Sequence, residues 1–319
     1  MAGRAFLIGL TAVALTAAAC GQEGGGSGNA APKSGKPEVC LVMKSLANDF
    51  FQGMRDGAIA HAAKRGDLKL QAVGTQNETD IDGQVAAVEK CVTQRVSAIV
   101  IAPADSRALI APLKRAMSAG VKVVNIDVKL DDAALKGAGA QVPFVGPDNR
   151  EGARQSGAEL AKKLGRGGKV VMLDGNPGAA NAEQRAQGFK DAIAQGDLKL
   201  LDAKTAHWET DEAHTVMGNM LTAHPDVQGV MAANDAMALG VLKAIQDAHK
   251  AGAIKVASFD NIPAIQAGVK DGSVVATVDQ FGSAQAAMGI DYAMRMIKGE
   301  TITGWQKTQI KLITAAGQS

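Results

Sequence analysis

The sequence predicts an α/β protein built as two doubly wound lobes, and three observations carry that reading. Short apolar runs alternate with longer stretches whose apolar residues recur three and four apart, the pattern of a parallel sheet covered by helices on both faces. The chain has 319 residues, too many for one ordinary core. A compound motif also occurs twice: Gln52-Gly-Met-Arg-Asp56, Gly66-Asp-Leu-Lys-Leu70 and Thr75 are echoed by Gln187-Gly-Phe-Lys-Asp191, Gly196-Asp-Leu-Lys-Leu200 and Thr205. Two matches in the same order, in the helix between a lobe's first and second strands, point to lobes of like topology. With 46% hydrophobic and 21% charged residues there is ample core. A net charge of +2, with one Tyr and two Trp, supplies neither a basic face nor a stacking platform, so no nucleic-acid partner is expected.

The amino terminus comes first and is not part of the fold. Arg4 precedes an apolar stretch, 5–19, that ends in Ala17-Ala-Ala-Cys20-Gly21. It is too short and too rich in small residues for a membrane span and reads as a secretory signal over residues 1–19. A cysteine directly after small residues resembles the lipobox of bacterial lipoproteins, which would place a lipid on Cys20. Ala17 stands where that motif usually has Leu, and a plain signal peptide cut near Ala19 is the other reading. Residues 20–37 then form a flexible Gly/Ser/Pro tether.

The folded chain opens with a buried strand at 39–43, a polar loop from Lys44 to Phe50, and a helix whose apolar face is Phe51, Met54, Ala58 and Ala62. Further strands are expected at 68–73, 97–101 and 121–126. Helices are expected at 83–95 and from Pro103 to Ser118. Residues 143–149 read as a short strand and a crossing point. The second series places strands at 169–173, 198–203, 229–233, 254–259 and 274–278. Its helices are 182–195, 211–223 and one carrying Met237, Val241 and Ile245. A helix at 283–298 and a strand near 308–314 close the chain. Cys40 lies in the first strand and Cys91 on the apolar face of helix 83–95. Export permits a disulfide between them, and two buried thiols packing as small hydrophobes is the alternative.

Catalysis and metal chemistry find little support. There is no G-x-S-x-G, H-E-x-x-H or C-x-x-C, and the five histidines are scattered, so no enzyme, cofactor or metal site is expected. Polar residues collect instead at strand ends: Asn48, Asp127, Asn181, Asn234, Asp260 and Gln280. Ligands of open α/β sheets bind there. Each has a competing local reading. Asn234-Asp235 and Asp105-Ser106 suit helix N-caps, Asp127 and Asp260 suit turns, and Phe50 and Phe51 suit the core. Two facing lobes would gather them around one cleft fit for a small, uncharged, hydroxyl-rich molecule.

Five segments carry a resemblance to a known family: Asn48-Asp-Phe-Phe51, Ala102-Pro-Ala-Asp-Ser106, Asn125-Ile-Asp127, Arg185-Ala-Gln-Gly-Phe189 and the run 221–240. They resemble the sugar-binding proteins of bacterial ABC transporters, in particular the ribose binders, and the likeness spans Val39 to Thr314. It implies the type I periplasmic-binding-protein fold, two Rossmann-like doubly wound lobes joined by a three-crossing hinge. The crossings would fall near 146–147, 280–281 and 309–310. The N-terminal lobe would then comprise 38–147 plus 281–309, and the C-terminal lobe 148–280 plus 310–319. The implied ligand contacts are Asn48, Phe50, Phe51 and Asp127 from the first lobe, and Arg185, Trp208, Asn234, Asp260 and Gln280 from the second lobe and hinge. Carboxylates and guanidinium bond vicinal hydroxyls, amides match a hydroxyl's dual character, and rings cover its C–H faces.

Two departures bear on the ligand. Val128 stands where ribose binders carry Arg, and Trp208 where they carry Phe, so another pentose, a hexose or a polyol is expected in place of ribose. The implied partners are that neutral sugar and the permease and ATPase of an importer, with a monomer held outside the cytoplasmic membrane by its lipid alone. A receptor for a sugar or furanosyl signal in chemotaxis or quorum sensing is the alternative function. A repressor core would need a DNA-binding headpiece where this chain has an export signal. Replacing Asp127 or Arg185 by Ala is expected to abolish binding without lowering the ligand-free melting temperature.

Overall fold

A computed structural model describes residues 35–318; the expected signal segment, Cys20 and the tether up to residue 34 lie outside the described residues. The first series runs β1 (Glu38–Ser45), α1 (Asp49–Arg65), β2 (Lys69–Thr75), α2 (Ile81–Thr93), β3 (Ala98–Ile101), α3 (Ile110–Ser118), β4 (Lys122–Ile126), α4 (Asp132–Gly137) and β5 (Phe144–Gly146). The second runs α5 (Asn149–Leu164), β6 (Lys169–Asp174), α6 (Ala180–Gln195), β7 (Lys199–Thr205), α7 (Thr210–Ala223), β8 (Gly229–Ala232), α8 (Asp235–Asp247), β9 (Lys255–Ala257), α9 (Gln266–Asp271) and β10 (Val274–Asp279). Last come α10 (Gly282–Ile297), β11 (Trp305–Lys307) and β12 (Lys311–Ile313).

The strands form two six-stranded sheets, ordered β11-β5-β4-β3-β1-β2 and β12-β10-β9-β8-β6-β7. The orders correspond strand for strand, which is the two-lobed, doubly wound architecture the sequence predicts. All pairings within the sheets are parallel except β12, which runs antiparallel to β10. The chain passes between lobes three times. After β5, α5 packs on α6 and β10; after β10, α10 returns to pack on α1 and β4; after β11, β12 crosses back. The central strands β1, β3, β6 and β8 are buried along nearly their whole length, as expected where helices cover both faces. Cys40 of β1 and Cys91 of α2 are joined by a disulfide, with Cα atoms 6.3 Å apart.

Local chemistry explains where elements begin. The Asn48 side chain accepts the Phe50 N–H at 3.0 Å and caps α1, so the helix starts at Asp49 and the loop before it is shorter than the sequence indicated. The helix expected from Pro103 starts only at Ile110. Asp105 Oδ1 takes the N–H groups of Arg107 and Ala108, both at 2.7 Å, and ties residues 105–108 into a separate turn. Helices α4, α5 and α9 and strand β11 carried no clear periodicity. The buried face of α5 is Gly152, Ala153, Ser156, Gly157, Leu160 and Ala161, small residues that hide an amphipathic pattern. That smallness is needed: a Cβ on Gly157 would lie 2.8 Å from the Ala192 Cβ of α6.

Candidate functional site

The carboxyl ends of the two sheets face each other across a small, tightly lined cleft. From the first lobe, Lys44 is the penultimate residue of β1, Asn48, Phe50 and Phe51 open α1, Glu78 follows β2 and Asp127 follows β4. From the second, Asn181 and Arg185 lie on α6, Trp208 precedes α7, Asn234 caps α8, Asp260 follows β9 and Gln280 follows β10. All nine residues named from the sequence as contacts therefore line one cavity. Asn234 also caps its helix, accepting the Met237 N–H at 2.9 Å, so the capping and lining readings hold together.

Three further residues line it. Asn181 was visible as a strand-end polar residue, but Lys44 and Glu78 were not singled out. Their side chains are 4% and 1% exposed and form an ion pair at 3.0 Å, with Asn48 Nδ2 donating to Glu78 Oε1 at 2.9 Å. The Lys44 ammonium lies 5.1 Å from the Phe51 ring centre and 5.2 Å from that of Trp208. A lysine directly after an apolar strand, with an acid just past the neighbouring strand, was the available signal.

Several lining residues hold left-handed backbone that side chains rarely adopt. Asp127 has φ 63°, Trp208 φ 71° and Asp260 φ 117°. Such conformations persist where the surroundings fix them, and they cluster at ligand clamps. Around Asp127 the fixing group is buried Asn125. Its Nδ2 donates to Val128 O at 2.8 Å and its Oδ1 accepts the Leu130 N–H at 2.9 Å. Around Trp208, the Thr205 hydroxyl donates to Gly175 O at 2.7 Å and accepts the His207 N–H at 3.1 Å. Gly175 is required by the indole itself, since a Cβ there would sit 2.0 Å from Cζ2.

Arg185 is the hub of the second lobe's polar network. Its Nε donates to Asn149 Oδ1 at 2.8 Å, and Nη1 donates to Ala233 O at 2.8 Å and faces Asp260 Oδ1 at 3.4 Å. The guanidinium stacks 3.8 Å from the centre of Phe259. Gln280 Nε2 donates to Asp260 Oδ1 at 2.7 Å, and Gln285 in turn donates to Gln280. Burial pushes the carboxyls of Glu78 and Asp127 above their ordinary range, and Asp260 to about 8 against the opposing pull of Arg185. Burial likewise lowers Arg185. Three acids thus share the cavity with two cations.

Away from the hinge, the lobes are joined by direct bonds. Ser106 N–H donates to Gly178 O at 3.0 Å, and its hydroxyl accepts the Ala180 N–H at 2.9 Å. Asn176 Nδ2 donates to Glu78 O and the Glu78 N–H donates to Glu209 Oε1, each at 2.9 Å. The conformation is therefore the closed one.

A family model described as a periplasmic binding protein domain matches residues 39–301. The chain belongs to the periplasmic binding protein family. It is 44% identical over 285 residues to the D-ribose/D-allose-binding protein of Pseudomonas aeruginosa, covering 88% of this chain and 89% of that one. It is 35% identical to the ribose import binding protein of Escherichia coli, covering 87% and 90%. Among solved structures, an ABC transporter periplasmic solute binding protein of Actinobacillus succinogenes with bound D-allose superposes with a TM-score of 0.83. That protein is 35% identical, with 88% and 98% of the chains covered.

Proposed function

We propose that this chain is the extracytoplasmic receptor of an ABC sugar importer and that its ligand is an aldose of the D-allose and D-ribose type, D-allose foremost. One observation carries the reading. Asp127 Oδ2, Asn181 Oδ1 and Trp208 Nε1 are buried polar atoms of the cavity lining with no hydrogen-bond partner among the described residues. Buried polar groups are nearly always paired, so two acceptors and one donor there call for a ligand that offers hydroxyls. The flanking rings of Phe50, Phe51 and Trp208 suit its C–H faces.

D-Allose and D-ribose share one stereochemical run, with every secondary hydroxyl on the same side in Fischer projection, which fits the names of the relatives. The hexose is favoured because Val128 supplies no donor from its turn, being wholly buried in the apolar core. Lys44 and Glu78 instead add a donor and an acceptor for a further hydroxyl. Closure about the three crossings would trap the sugar between lobes, and the closed form would dock on a permease driven by an ATPase.

A thermal-shift and calorimetry panel of pentoses, hexoses and polyols tests this. D-Allose at about 100 times its Kd should stabilise the protein by about 2.7 kcal/mol, with D-ribose weaker. If no aldose raises the melting temperature at millimolar concentration, the proposal fails. The segment before residue 35 supports export and a lipid on Cys20. Cys20→Ser should then move the protein from the membrane to the soluble fraction with D-allose binding unchanged; a variant that stays on membranes would refute the anchor.

A further inference from the structure

We propose that Asp235 is a positioning residue: without reaching the sugar, it fixes the turn that presents Asp260 to the cavity and so sets the selectivity of the second lobe. The inference rests on the sugar-binding reading above. Asp235 is the first residue of α8, where an acid merely complementing the helix dipole would do as well exposed to solvent. It is wholly buried instead and absent from the cavity lining. None of its side-chain bonds goes to its own helix. Oδ1 accepts the hydroxyls of Ser258 and, at 2.9 Å, Thr277, while Oδ2 accepts the Ile262 N–H at 3.0 Å.

These bonds grip both ends of the segment 258–262, and the Asp235 N–H adds a bond to Phe259 O at 2.8 Å in its middle. Within that segment Asp260 has φ 117° and Asn261 φ 58°, two successive left-handed residues that are not glycine. Such a turn holds its shape only while its surroundings over-determine it. Its product is an Asp260 carboxyl that meets Arg185 and Gln280 at the cavity. Asp235 also adjoins Asn234, so one buried carboxylate sits behind two lining residues. Burial raises its own pKa to about 7, so the group is held at an energetic cost that dipole complementation alone does not explain.

Calorimetry with D-allose and D-ribose on wild type, Asp235→Asn and Thr277→Val tests the proposal. The amide of Asp235→Asn can still accept hydroxyls, but its NH₂ meets the Ile262 N–H. Affinity for D-allose should fall about tenfold, as expected for a lost charge-assisted bond, in a variant that still melts cooperatively. The ratio of allose to ribose affinity should change by about threefold or more, because one set of hydroxyl contacts is displaced. Thr277→Val should shift the ratio in the same direction by less, and it decides the matter if Asp235→Asn does not fold. A folded variant with wild-type affinities, or one that weakens both sugars by a common factor, overturns the positioning role while leaving the sugar reading intact. Wild type that binds neither sugar overturns both.

Discussion

The two lobes share a strand order yet prepare their halves of the cavity differently. The second lobe's charged groups are tied to one another and to the protein: Arg185 to Asn149, Ala233 O and Asp260, and Asp260 to Gln280. The first lobe holds one ion pair, Lys44–Glu78, and one acid, Asp127, whose Oδ2 has no hydrogen-bond partner among the described residues. Preorganised groups of the first kind give geometry; unpaired ones give driving force to whichever ligand pairs them. The contrast divides two residues that the sequence treated alike.

The largest expected effect is at Arg185. Removing the guanidinium leaves Asn149 Oδ1 and the Ala233 carbonyl as buried acceptors without their donor, at roughly 1–3 kcal/mol each. Arg185→Ala should therefore abolish measurable sugar binding and also lower the ligand-free melting temperature, contrary to the unchanged stability anticipated from sequence. The loss of packing on Phe259 adds to this. A ligand-free variant as stable as wild type would show that the second lobe's network is not structural.

Asp127→Asn comes next and should behave in the opposite way toward stability. Two lost charge-assisted bonds of about 1.5–3 kcal/mol each would weaken binding by about 100-fold or more. The ligand-free protein should keep its melting temperature or gain slightly, because a buried acid without a partner is removed. A marked drop in ligand-free stability would erase the distinction between the lobes.

The contrast itself was not legible in the sequence, although much around it was. The doubly wound lobes were, because strands buried on both faces must be apolar throughout and the repeated motif fixed their correspondence. Strand-end polar residues were legible for a related reason: a buried sheet leaves its ends as the place where polar groups can gather. Lys44 and Glu78 escaped because a buried lysine is rare unless paired, and its partner lies in a different loop. Helix α5 escaped because glycine, alanine and serine fill its inner face. Asp235 reads as an ordinary N-terminal helix acid until the turn it grips is seen in three dimensions.

The smallest expected effect concerns pH and sharpens the comparison further. Asp260 has a pKa of about 8 in the folded protein, raised chiefly by burial, against an ordinary value of 3.8. Between those limits the folded state keeps a proton that the unfolded state has released, so stability falls as pH rises through the window. Neighbouring Asp235, at about 7, acts in the same sense, whereas Glu151, held at about 2 chiefly by Arg154, contributes stability that is lost only as pH falls toward that value. Asp260→Asn removes one declining contribution. Its melting temperature relative to wild type, both ligand-free, should rise between about pH 5 and pH 8. Asp127→Asn should show the same trend, since burial raises that acid too. Differential scanning calorimetry at the two pH values decides it: a difference that stays flat or shrinks would mean that Arg185 keeps Asp260 ionised throughout, and that the second lobe's half of the cavity is fully charged before the sugar enters.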